Sequence, residues 1–111
     1  MDKLDQYRQW IQALLLEYAN VKLANEAIKV YKFFDTEGDH YQVFHAGWAK
    51  TRRIFGPLIH IDILDGKLWI QHDGTEVGIA NRLLELGVPA GDIVLGYHAP
   101  FMRQHDDFAV G

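Results

Sequence analysis

Apolar and polar residues alternate on either side of Asp65-Gly66, and this alternation is the firmest structural signal in the chain. An Asp-Gly pair suits a two-residue type I′ turn, because Gly accepts positive φ without steric cost and Asp tolerates it. The turn sets the register of a predicted β-hairpin: Leu64 opposite Lys67, Ile63 opposite Leu68, Asp62 opposite Trp69, Ile61 opposite Ile70 and His60 opposite Gln71. Successive strand side chains point to opposite faces, so Ile59, Ile61, Ile63, Leu68 and Ile70 share a side that must be core. His60, Asp62, Lys67, Trp69 and Gln71 share the other side. That face is too polar for a core yet carries one large aromatic, which makes it a candidate partner surface anchored by Trp69. The plainer alternative is a solvated face with one exposed Trp.

The same reasoning extends along the chain. Leu4, Tyr7, Ile11, Leu14 and Tyr18 are spaced to form one stripe on a helix over Asp2 to Ala19, with Trp10 and Leu15 just off the seam. So short a stripe docks on its own sheet more often than it forms a coiled coil. Asn20 to Glu26 is a polar connector. Ala27 to Asp35 and His40 to Trp48 are predicted strands joined by Thr36-Glu37-Gly38-Asp39, and Ala49-Lys50-Thr51 turns into a third strand beginning at Arg52. Gly56-Pro57 interrupts that strand and requires a bulge or an edge position, since Pro cannot donate to a ladder. Asp73 and Glu76 have capping-box spacing and predict a second helix from Gly74 or Thr75. Its apolar positions would be Val77, Ala80, Leu83, Leu84 and Leu86, it would cover the aliphatic hairpin face, and Gly78 within it implies close packing on the sheet. Gly87-Val88-Pro89 ends it, and Asp92 to Tyr97 follows as a short buried strand. His98 to Gly111 has no periodicity and is expected to be a tail or docking arm.

These elements predict an α+β fold: a mainly antiparallel β-meander sheet packed by an N-terminal helix and a second helix after the fourth strand. At 111 residues the chain is expected to form one domain over residues 1–111, with 98–111 as a C-terminal arm. It has no membrane-length apolar run and no apolar signal segment, so a cytoplasmic protein is expected. The chain lacks both cysteine and serine, which removes disulfides, thiolate catalysis and serine nucleophiles. Six histidines raise the question of a metal, but His60 and His72 fall on opposite faces in the register above, and the other four cannot be placed to converge. Asp65 and Asp73 already have turn and cap roles, which leaves too few carboxylates for a nuclease ion. No cofactor is expected. With 11 basic against 15 acidic residues the chain lacks the electrostatic footprint of a DNA-binding domain. Lys50, Arg52 and Arg53 beside Trp48 are the one local basic cluster and keep direct DNA binding as an alternative. A metal-dependent hydrolase using Asp62 and His60 is a third reading.

The segments Phe34-Asp35-Thr36-Glu37, Asp39-His40-Tyr41-Gln42, Gly47-Trp48, Ile59-His60-Ile61-Asp62-Ile63 and Asp65-Gly66-Lys67 form a recognisable set. Together with Trp69-Ile70-Gln71-His72-Asp73-Gly74-Thr75-Glu76 and Gly87-Val88-Pro89, they resemble the XisI family, the fdxN element excision controlling factors of cyanobacteria. The resemblance runs through nearly the whole chain. It implies a small non-catalytic accessory protein that acts with an XisH-like protein in the excision of a DNA element, while a separate site-specific recombinase exchanges the strands. It carries no catalytic residue onto this sequence. Under this reading DNA contact is indirect, and His60, Asp62, Trp69 and Gln71, with His98, Pro100 and Arg103 of the arm, are the expected partner-binding residues. A homo-oligomer through helix one or the arm is also left open.

Overall fold

A computed structural model describes residues 2–111. Helix α1 (Lys3–Ala19) begins where the Asp2 carboxylate accepts a hydrogen bond from the Asp5 amide at 2.9 Å, satisfying one of the free N–H groups of the first turn. Tyr7, Ile11 and Leu14 of the predicted seam are buried, and so is Leu15, which the spacing placed at the margin. The seam is therefore used against the chain's own sheet.

Four strands follow as an antiparallel meander: β1 (Ile28–Asp35), β2 (His40–Ala49), β3 (Arg52–Leu64) and β4 (Lys67–Asp73). A fifth, β5 (Ile93–Leu95), pairs parallel to β4 and completes the order β1-β2-β3-β4-β5. It is shorter than the predicted Asp92 to Tyr97. Val43 pairs with Ile59 and Phe44 with Pro57, so Leu58 is the extra residue of a bulge. Since β3 lies inside the sheet, a bulge is how Pro57 is accommodated without a broken ladder.

Helix α2 (Ile79–Leu86) starts later than the capping-box spacing suggests. Asp73 does cap it, but across a longer loop. One carboxylate oxygen accepts from the Thr75 amide and hydroxyl at 2.9 and 2.6 Å, and the other accepts from the Ile79 amide at 2.7 Å. Gly78 stands before the helix at φ +90°, a conformation costly for any side chain, so its role is in the backbone turn and not in packing within a helix. Val77 is consequently outside the helix and exposed, and Leu84 and Leu86 are each 39% exposed; Ile79 and Leu83 carry the buried face.

Both helices cover the same side of the sheet. Helix α1 packs on β1 and β2, α2 packs on β4 and against α1, and Ile59, Ile61, Ile63, Leu68 and Ile70 are buried between them, as the hairpin register predicts. Arg8 fastens α1 to the β1–β2 turn, its Nε and Nη2 donating to the two oxygens of Asp39 at 2.8 and 3.1 Å. No helix among the described residues is long and apolar enough to cross a membrane.

The start of β1 crosses very close to the end of β2. A Cβ on Gly47 would lie 2.0 Å from the Ala27 carbonyl oxygen and 2.6 Å from the Ile28 Cα, both rigid backbone atoms. Gly47→Ala must therefore displace the start of β1, and we expect it to cost about 2 kcal/mol or more. An unchanged urea midpoint for this variant would contradict the close approach.

Candidate interaction surface

The face of the sheet away from α1 and α2 is left uncovered by them, and its residues follow from the strand register. On β1 and β2 the outward positions include Lys29, Tyr31, Phe33, Asp35, His40, Gln42, Phe44 and Trp48; on β3 and β4 they include Arg53, Phe55, His60, Asp62, Trp69 and Gln71. The face divides into a polar centre, an end covered by the C-terminal arm, and an aromatic half.

Asp62 forms the polar centre. It is the one charged residue buried among those described. One of its oxygens lies 2.8 Å from both His40 Nδ1 and His60 Nε2, and the other accepts from Gln71 Nε2 at 3.2 Å. The predicted pairing of His60 with Gln71 is corrected here: His60 pairs with His72, because Gln71 is the extra residue of a bulge in β4. Gln71 reaches Asp62 from the bulge, and His72 comes to the same side as His60, not the opposite one. His40, opposite Asp62 in the β2–β3 register, is the member that strand-by-strand reading misses. Both imidazoles spend a nitrogen on the same carboxylate oxygen. No group of three or more His, Asp or Glu is arranged to hold a metal among the described residues.

The arm does not trail away. After Pro100–Arg103, a single helical turn (α3), the chain returns so that Ala109 bridges Val94 and its amide donates to the Ile93 carbonyl at 2.8 Å. Arg103 holds this return. Its Nε donates to the Val110 carbonyl at 3.0 Å, its Nη1 donates to the His98 carbonyl at 3.2 Å, and its guanidinium lies 5.1 Å from the centre of the Trp69 ring. Trp69, Arg103 and His98 therefore belong to one composite surface, with Pro100 opening the helical turn that carries Arg103, and Trp69 is half-buried in it. Tyr97, Phe101 and Met102 stand exposed beside them, Phe101 at 66%.

The aromatic half is the feature least visible in the sequence. Tyr31 and Phe33 stack at 6.2 Å, Phe33 meets Phe44 edge-on at 6.2 Å, and Phe44 meets Phe55 edge-on at 4.8 Å. These are favourable ring geometries, yet they leave the cluster open to solvent. Arg53 spreads over it, 5.0 Å from the Phe55 ring and 5.4 Å from the Trp48 ring. Lys50 sits in the exposed β2–β3 turn and Arg52 opens β3 beside it, at the other end of that ladder from Asp62, so the basic cluster and the Asp62 centre are separate.

Burial raises the Asp62 pKa, but the bonds from His40, His60 and Gln71 outweigh it and leave the carboxyl below its ordinary value of 3.8. The bond to Asp62 holds the His40 imidazolium above its ordinary 6.5. A raised histidine stabilises the fold fully below its unfolded pKa and loses that contribution as pH rises through the folded value; a lowered carboxyl loses its own as pH falls. Raising the pH from about 6 to about 8 should therefore lower the melting temperature, and Asp62→Asn should flatten that dependence. Equal pH slopes in thermal denaturation of the two proteins would contradict the coupling.

Residues 1–110 match the family model described as XisI protein. No curated protein matches the chain. The crystal structure of a XisI-like protein from Anabaena variabilis ATCC 29413 is 40% identical and superposes with a TM-score of 0.91, covering 98% of this chain and 100% of that one. The fdxN element excision controlling factor XisI from the same organism is 31% identical with a TM-score of 0.86, over 99% of this chain and 100% of the other. The family model and both structures span nearly the whole chain, and the chain belongs to the XisI family.

Proposed function

We propose that this protein is a non-catalytic controlling factor for excision of a DNA element, acting in the cytoplasm through a protein partner that resembles XisH. A separate site-specific recombinase performs the strand exchange. The observation that carries this reading is the full-length relationship to an fdxN element excision controlling factor. The physical chemistry supports an adaptor role. The net charge of −4 favours contact with protein over direct contact with DNA. The basic turn is partly occupied, since Arg53 faces its own aromatic rings.

The partner surface we propose is the composite one at the arm. Trp69, His60, Asp62 and Gln71 form its floor; His98, Pro100 and Arg103 form its rim. A half-buried Trp under a cation, bordered by exposed Phe101 and Met102, has the makeup of an interface hot spot: a large rigid anchor with apolar surroundings from which a partner can exclude water. Arg103 links the two parts, so Trp69 contributes both area and the position of the arm.

Co-purification with an XisH-like partner tests this reading. Trp69→Ala and Phe101→Ala should each weaken the complex by about tenfold or more, the loss expected of a hot-spot truncation, while Arg52→Ala at the distant turn leaves it unchanged. Retention of the complex by both arm-side variants would rule out this surface.

A further inference from the structure

We infer that the aromatic half of the open sheet face is the contact between two copies of this chain. Tyr31, Phe33, Trp48 and Phe55 are exposed at 46, 50, 50 and 66%. At 150–250 Å² for each such side chain, they leave on the order of 400 Å² of apolar surface in water. That is within the range of the largest patch on a typical monomer and is about half of one side of a standard interface, so it would serve as the dry core with a polar rim around it.

The charges around the rings select the occupant. Lys29 on β1 and Arg53 on β3 lie at one end of the patch. Asp35 on β1 and Glu37 in the following turn lie at the other. A two-fold axis lying in the plane of the contact and perpendicular to the strands would run the strands of the two copies antiparallel and set the basic end of each over the acidic end of the other. An axis along the strands would set like charges together. The pattern is thus self-complementary in one isologous arrangement, with β1 facing β1 and the Tyr31 and Phe33 rings near the axis. A different partner would need no such internal symmetry.

This contact uses the half of the face away from Trp69 and needs no partner protein, so its failure would leave the arm surface untouched. The test is the mass of the purified full chain in solution by sedimentation equilibrium across micromolar concentrations. Twice the 12.8 kDa of one chain is expected. Phe55→Glu, at a position exposed enough to leave folding intact, should shift the protein to the single-chain mass. Lys29→Glu and Glu37→Lys should each weaken association about tenfold by opposing like charges, and the double variant Lys29→Glu with Glu37→Lys should recover it. A single-chain mass for the native protein would overturn the inference, as would a dimer indifferent to Phe55→Glu or a charge-swapped double variant no better than its parents.

Discussion

Two helices cannot cover both faces of a five-stranded sheet, and this constraint organises the molecule. Helices α1 and α2 lie side by side on the aliphatic face and bury it, joined by an ion pair between Arg82 and Glu17 at 2.8 Å. The opposite face must be compatible with water or with another protein. It meets the requirement differently in its parts. At β4 and β5 the C-terminal arm folds back, which explains why Val94, paired with the outward Trp69, is nevertheless fully buried. In the centre, Asp62 is sunk into the sheet but bonded by three side chains, so no buried charge is left unpaired. Across β1 to β3 no other segment of the chain covers the rings, and only the Arg53 side chain lies over them.

The open face also suits the adaptor role proposed for this chain. An adaptor needs rigid surfaces at fixed relative positions, and strands in one sheet provide them. The bulges at Leu58 and Gln71 set where those surfaces fall, because each reverses the facing of everything beyond it. Without the second bulge His72 would point to the helices; with it, His72 pairs with His60 while Gln71 donates to Asp62.

Much of this was legible in the sequence, and the misses have physical causes. The hairpin register at Asp65-Gly66 was readable because a two-residue turn leaves no freedom in pairing. The register beyond Ile61 was not, since nothing in Gln71-His72 marks which residue bulges. The start of α2 was misplaced because Asp73 and Glu76 match a capping box, whereas Asp73 reaches the helix across a loop that needs positive φ at Gly78. His40 could have been found: counting back from the Lys50-Thr51 turn through one extra residue near Pro57 sets it opposite Asp62. The aromatic cluster draws its residues from three strands, Tyr31 and Phe33 from β1, Phe44 and Trp48 from β2 and Phe55 from β3, and only the joint register brings them together. The XisI resemblance carried the family and the fold but gave no surface.

We propose that the open sheet face holds two separate interfaces, one for a copy of the chain and one for a different protein. The stoichiometry of the complex with an XisH-like partner, read by native mass spectrometry, tests it most directly. Two copies of this chain with two of the partner are predicted, whereas a complex containing a single copy of each would contradict the account.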